Sequence, residues 1–498
     1  MNTGHRKPIC YLALSLAAAS LSFLWGCGES HNITPPQPNP APAPVPLATG
    51  NVNLIFVLSD DLLYQAAGDV NADTANLTAQ GLQRTLLLAP YLQQNILGKN
   101  NVTAIYALEP MTHLQTAGSY PDMAALEAVQ QFALMNQFTM TSPYPDMGST
   151  IGNSFPINSS YYPGSQPAGV AAPSPSCTVC QGIDFNDIAQ DNEKLLTSVL
   201  TANVPGYYVF AAPWETTQSL LASLNTLEKS SLPIPSVFQG PNNIYAVSIP
   251  PSGGASLTTY NSNLTPPDNF PALDPGLIAP TPCQYSTFAL NATGPPSNIN
   301  TNETLYFIRH ANAHPSDIFS NGNFVAAGQW RALDLGNAIS TALQGKPQPA
   351  HVYSLDPAQV TPDAGYTASG STSFSHNTLA LTAEPYAIAK NLPYSLVSGF
   401  LLTDTDGPQE ASKYFFQGGQ FTNQTILVAW EHTNIPQILS ALLTGYSTVS
   451  RSPTLAWDAY DYDSIWTITI DESGNLTADN SLCEGIDSSN LPATAPQI

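Results

Sequence analysis

Apolar and polar positions along the chain alternate between two periods, and the same succession occurs twice. "NLIFVLSDD" (53–61) and "TLYFIRHAN" (304–312) are short apolar runs that end abruptly in polar residues, which predicts a buried strand at each place. Each is followed by a stretch apolar at spacings of three and four, "NLTAQGLQRTLLLAPYL" (76–92) and "NFVAAGQWRALDLGNAI" (323–339), which predicts a helix. Further strands are predicted at "VTAIYALEPMT" and "PAHVYSLDPAQV". Strand-into-helix units follow at "YYVFAAPWETTQSLLASL" and "TILVAWEHTNIPQILSALL", and last strands at "NNIYAVSI" and "DSIWTITI". Repetition of one order predicts a duplicated α/β unit. The fold expected is two tandem three-layer α/β/α domains, each a mostly parallel sheet flanked by helices. Their bounds are 51–262 and 301–490. Residues 263–300, dense in Pro, Asn and Gly, read as a linker.

The start of the chain breaks this pattern. His5, Arg6 and Lys7 precede a long apolar run, as in an export signal, and "LWGC" (24–27) resembles a bacterial lipobox with Cys27 as the acylated residue. Residues 1–27 are thus expected to be a lipoprotein signal peptide and the Pro-rich 28–50 a semi-rigid linker. The expected location is the bacterial cell envelope, lipid-anchored, on an outer membrane facing the periplasm. In that setting disulfides persist. Cys177 and Cys180, close in one loop, are expected to pair, leaving Cys283 with Cys483. A redox role for the CxxC is set aside because no thioredoxin-like strand and helix surround it.

Charge narrows the partners. Asp plus Glu outnumber Lys plus Arg 35 to 12, a formal net charge of −23. Such a surface repels polyanions and excludes nucleic acid as an expected partner. A cation placed at a strand end is then conspicuous, and Arg309-His310 is such a place. His432 ends a second strand 122 residues later. Ligands of α/β sheets bind beyond the carboxyl ends of the strands. One arginine and two imidazoles converging there suit a tetrahedral oxyanion: the guanidinium forks onto phosphate oxygens, and one neutral imidazole can attack phosphorus.

These residues resemble the histidine phosphatase (phosphoglycerate mutase-like) superfamily over about 301–470. "FIRHANAHP" is similar to its Arg-His-Gly strand end, with Ala311 in place of Gly, and "ILVAWEHTNIPQILSALL" to its second catalytic strand and helix. The resemblance implies that His310 is the phosphorylated nucleophile, that Arg309 and His432 line the phosphate pocket, and that no cofactor is needed. Residues 353–385 contain no Arg or Lys where the superfamily places a second arginine, leaving His376 as the candidate cation there. His314 is a further possible phosphate contact. Asp404, Asp406 and Glu410 are positional candidates for the proton donor. Glu431, next to His432, is assigned to structure on strand alternation.

The expected function is hydrolysis of a small phosphomonoester through a phosphohistidine, by an exported, membrane-anchored protein. The alternative is a catalytically inactive pseudophosphatase that binds or scaffolds. The first half lacks the chemistry: opposite Arg309-His310 stand Ser59-Asp60, opposite His432 stands Thr216, and Asp60 and Asp61 would repel phosphate. It reads as a degenerate copy. Trp214 and Trp430 read as equivalent core positions, Asp461 and Asp463 as a solvated turn, and His113 and His351 as ordinary strand-flank residues. No metal site is expected: His310 and His314 are spaced i,i+4, but Pro315 interrupts the pattern.

Overall fold

The computed structural model describes residues 44–64, 68–115, 118–142, 146, 148–161, 181–185, 190–273, 281–285, 287–313, 319, 321–358, 374–398, 405–450 and 455–497. From Pro44 onward the chain forms one compact unit. Its first half runs β1 (Val52–Leu58), α1 (Ala79–Tyr91), β2 (Ala104–Ala107), a short pair β3 (Leu114–Gln115) and β4 (Tyr120–Pro121), and α2 (Ala124–Ala133). A hairpin β5 (Gln137–Thr141) and β6 (Ser149–Asn153) follows, then α3 (Asp191–Ala202), β7 (Gly206–Ala212), α4 (Trp214–Leu227), β8 (Asn243–Ile249) and β9 (Ser256–Asn261). The second half runs β10 (Ala289–Thr293), β11 (Glu303–Arg309), α5 (Ala326–Ala342), β12 (His351–Leu355), α6 (Thr378–Lys390), β13 (Tyr394–Val397) and α7 (Gly407–Phe416). It closes with β14 (Thr425–Trp430), α8 (Ile435–Leu443), β15 (Thr448–Ser450), β16 (Ser464–Ile470) and β17 (Leu476–Cys483).

Two main sheets carry all of these strands except the separate pairs β3-β4 and β5-β6. The first is ordered β2-β7-β1-β8-β9, and the second contains β12-β14-β11-β16-β17 in the corresponding order, extended by β13 at one side and by β10 and β15 at the other. In both, β1 and β11 pair parallel on one side, with β7 and β14, and antiparallel on the other, with β8 and β16. The expectation of mostly parallel sheets is therefore corrected to mixed α/β sheets. The crossover helices α1 and α5 set the parallel side, and the closing β8-β9 and β16-β17 pairs are antiparallel meanders. β10 arises inside the stretch 263–300 and pairs with β17 and β15. Its alternating burial, exposed at Ala289, Asn291 and Thr293, hid it among prolines.

Central strands explain the long apolar runs. All seven residues of β1, β7 and β11 are buried, as strands covered on both faces require. The main apolar cluster draws Phe56, Phe210 and Val247 from the first half and Tyr306, Ile308 and Leu427 from the second. α1 begins where Thr78 caps it, its side chain accepting the Gly81 N–H at 3.1 Å. Pro90 lies inside α1, and the helix passes into a π-turn at Leu92–Ile96 just beyond it.

One glycine places the segment that follows β11. A Cβ on Gly328 would stand 2.2 Å from the Asn312 carbonyl oxygen, so the first turn of α5 can press on this segment only without a side chain. The Val325 N–H donates to that same carbonyl at 3.0 Å. Gly81 and the Asp69 carbonyl repeat this abutment in α1, again at 2.2 Å. Cys283 and Cys483 form a disulfide across a sequence separation of 200. Cys27, Cys177 and Cys180 lie outside the described residues.

Candidate active site

β11 delivers Arg309 and His310 at the carboxyl end of the parallel part of the second sheet. Arg309 stands beside Trp430 of β14, and the His310 N–H donates to the Trp430 carbonyl at 3.3 Å. The Arg309 guanidinium is buried. Its Nη1 donates to the carbonyls of Ala459 at 2.6 Å and Asp461 at 3.2 Å, and its carbon lies 3.8 Å over the Tyr462 ring. A stacked cation of this kind is worth about 0.5–2 kcal/mol. The turn supplying those carbonyls is not solvated as expected. Asp461 and Asp463 are 3% and 6% exposed, and Asp461 Oδ1 accepts the N–H groups of Asp463 and Ser464, both at 2.9 Å. The carboxylates are spent on backbone, which is why this acidic turn can face inward.

His310 is oriented through its own loop. Its Nδ1 donates to the Ala311 carbonyl at 2.8 Å, since a carbonyl only accepts, and Nε2 is turned toward Glu431 Oε2 at 3.3 Å. Ala311 in turn donates its N–H to Thr382 Oγ1 of α6 at 2.8 Å, which fixes the peptide that holds the ring. The ring centroid lies 6.3 Å from His432, 6.2 Å from His376 and 6.0 Å from Tyr462. His310 is 1% exposed on its side chain, while His432 keeps 16%, so the site opens on the His432 side.

The residue the sequence reading missed is Glu431. Strand alternation would turn it away from His432, but β14 ends at Trp430, and the next residues form a turn whose N–H groups, from Asn434 and Ile435, donate back to the Glu431 carbonyl. Freed from the pleat, its buried carboxylate reaches His310 Nε2 with one oxygen and His432 Nδ1 with the other. Burial pushes the Glu431 carboxyl up, but the charge of His310 and hydrogen bonds from both imidazoles prevail and hold it well below the usual carboxylate range. Burial pushes His432 below its ordinary range, against the pull of Glu431 and with a further push from Arg309. The signal available beforehand was the bare juxtaposition of a Glu with a His just past the last apolar residue of a strand.

His376 is brought to the site by the first half of the chain. Its loop is pinned on both sides: the Ser159 N–H donates to Ser375 Oγ at 2.9 Å, Ser159 Oγ donates to Asn377 Oδ1 at 2.6 Å, and Asn377 Nδ2 donates to the Ile157 carbonyl at 2.8 Å. Of the expected proton donors, Asp406 and Glu410 are not brought in. Glu410 is half exposed and pairs with Lys413 at 2.7 Å, lining a depression with Leu396, Val397 and Gln420, and Asp406 is exposed before α7. His314 and Asp404 lie outside the described residues. His351, half-buried, stacks on Tyr353 with ring centroids 4.4 Å apart and bonds Ser395 Oγ through Nε2 at 2.9 Å. Donor atoms of His310, Glu431 and His432 lie within 4.8 Å of one another, a spacing that a metal could use. The Arg309 charge acting on His432 favours an anion there instead.

Register corrects the correspondence between the halves. The Ser59 N–H donates to the Ala212 carbonyl at 3.0 Å, as His310 does to Trp430, so Leu58-Ser59 stand where the second half has Arg309-His310. Counting on from Ala212, Trp214 falls at the place of His432. Ala212, not Trp214, thus corresponds to Trp430, and Thr216 lies two residues beyond the His432 position. Beside this strand end stands a cluster the sequence did not announce: His113, expected as a strand-flank residue, is buried between Asp61 at 3.3 Å and Asp122 at 2.9 Å. Burial, reinforced by Asp69, pushes Asp60 up to about 8.

No known family profile matches this chain, and no curated protein does. Among solved structures it is similar to a mycobacterial glucosyl-3-phosphoglycerate phosphatase in complex with VO3, at 11% identity over 33% of this chain and 90% of that one, with a TM-score of 0.18. The chemistry of the site is argued from its own geometry.

Proposed function

We propose that this chain is a phosphomonoesterase that works through a phosphohistidine at His310, with Glu431 as its proton carrier. The single observation that carries the reading is the orientation of His310: Nδ1 donates to the Ala311 carbonyl, so Nε2, turned toward Glu431 beside Arg309 and His432, gains its lone pair at the end of a central strand when its proton passes to that carboxylate. In the reaction Nε2 bonds to phosphorus while the bond from phosphorus to the ester oxygen breaks, and a proton passes from Glu431 to the departing alkoxide. Glu431 then takes a proton from the water that attacks phosphorus, releasing phosphate and restoring Nε2. Held low in the free site, Glu431 takes the Nε2 proton of His310 when substrate arrives, because a phosphate dianion beside a carboxylate raises its pKa. Its oxygen at 3.3 Å from Nε2 must swing aside to admit phosphorus. His376 and His432 supply charge stabilisation in place of a second arginine.

The matching strand orders of the two sheets and the repeated helix abutments at Gly81 and Gly328 support a duplicated unit whose first copy has lost the phosphate site. The "LWGC" segment and its apolar run support export and lipid anchoring at Cys27. One observation favours the inactive reading: Arg309 Nη1 is already held by two backbone carbonyls, leaving less of the fork for phosphate. Phosphate release from p-nitrophenyl phosphate and a panel of alkyl phosphates between about pH 4 and 7 decides between them. Turnover is expected in the wild type and abolished in His310→Ala; a wild type inert on the whole panel would establish the pseudophosphatase.

A further inference from the structure

The cluster at the carboxyl end of β1 is built from three separate segments. Asp61 follows β1, His113 follows the turn Pro110–Thr112, and Asp122 precedes α2. Each carboxylate spends one oxygen on backbone and turns the other inward: Asp61 Oδ1 accepts the Leu63 N–H at 2.7 Å, and Asp122 Oδ1 accepts the Ala124 N–H at 3.1 Å. Their Oδ2 atoms stand 3.3 and 2.9 Å from one atom, His113 Nδ1. The imidazole is locked by stacking on Phe185, with centroids 3.9 Å apart and planes 2° from parallel. Exposure of the three side chains is 1%, 0% and 9%.

A single N–H cannot serve two carboxylates well. Asp122 takes the shorter contact, and Asp61 Oδ2 accepts no hydrogen bond among the described residues. A buried carboxylate oxygen left in that state is costly unless a cation meets it. The same holds for Glu215: its Oε1 accepts the Tyr64 hydroxyl, while the buried Oε2 accepts no bond among the described residues, and its charge acts on both Asp61 and His113. The spacings suit an ion. Ligands about 2.1 Å from a metal lie about 3.0 Å apart along an octahedral edge and about 3.4 Å along a tetrahedral one, against the 2.9 and 3.3 Å found here.

We propose that Asp61, His113 and Asp122 bind a divalent transition-metal ion of the zinc class, with the Glu215 carboxylate adding negative charge to the site. The ion would displace the proton from His113 Nδ1 and give both inward oxygens one shared partner. Where the second half places Arg309 for an anion, the first half gathers carboxylates for a cation.

The test is isothermal titration of the chelator-treated full chain with Zn²⁺, run alongside Asp61→Asn/Asp122→Asn, His113→Gln and Glu431→Gln. One ion per chain is expected, with affinity weakened about 100-fold or more in the first two variants and unchanged in Glu431→Gln, which disables the other histidine cluster. Either Asp or His variant, shown folded by its circular dichroism, suffices for the reading. Absence of zinc uptake overturns the proposal, as does binding that survives loss of the aspartates or disappears only with Glu431→Gln.

Discussion

Glu431 faces His310 across 3.3 Å, carboxylate oxygen to Nε2, although the two residues are 121 positions apart and neither lies inside a strand. If this carboxyl carries the proton to the leaving group, the cost of removing it depends on what leaves. Glu431→Gln is expected to lower kcat on alkyl phosphates by about 10²–10⁴-fold while sparing much of the rate on p-nitrophenyl phosphate, whose phenolate departs unaided. Equal losses on both substrates would assign Glu431 to positioning alone.

The abutment of α5 on the segment after His310 makes its own forecast. Gly328→Ala forces a carbon against the Asn312 carbonyl at 2.2 Å, so helix and loop must part. A loss of about 1–3 kcal/mol is expected in denaturant unfolding, together with lowered phosphatase activity. Gly50, with open space around it, is the control position where Ala should cost nothing measurable.

Buried carboxyls between the halves predict an unusual pH response. Burial pushes Glu127 up to about 7 and raises Glu109 and Glu384 well above their ordinary range, with Asp356 and Glu127 respectively adding to it. The folded state thus holds protons that the unfolded state has already released, and stability falls as pH rises through those folded values. His351, lowered by burial to about 4, and His432 work in the opposite sense, but only below about pH 6.5. Melting temperature should therefore decline as pH rises from about 6.5 through about 7, and Glu127→Gln should flatten the decline. A rising curve over that window would contradict the assignment.

Cys283 and Cys483 close the longest covalent loop among the described residues, with a sequence separation of 200. Cys283→Ser/Cys483→Ser should lose roughly 2–5 kcal/mol of stability, measured by unfolding under matched non-reducing conditions. Because the disulfide does not touch His310, activity in the folded variant should persist.

What the sequence revealed follows from where periodicity is strong. The eight core strands and the helices α1, α4, α5 and α8 were legible because burial on two faces, or along one helical face, writes an unbroken apolar pattern. β10 was not, since only Leu290 and Ala292 of its five residues turn inward. Arg309, His310 and His432 could be read as strand-end residues, and the structure does gather them. Glu431 could not, because the alternation rule was applied one residue past the strand's end. The His113 cluster was invisible for a different reason: its three members sit in loops 61, 113 and 122, where no period relates one residue to another.

The hydrogen bonds of Arg309 carry a consequence for how the protein comes into being. β11 gains its neighbours only when residues 425–470 exist, and the guanidinium is seated only when the turn at 459–461 closes over it. Arg331 of α5 waits longer still, for Glu484, Ile486 and Ser488. A chain synthesised from its N-terminus thus carries His310 early and the seat of Arg309 late, and the proposed site stays incomplete until residues 459–461 have arrived.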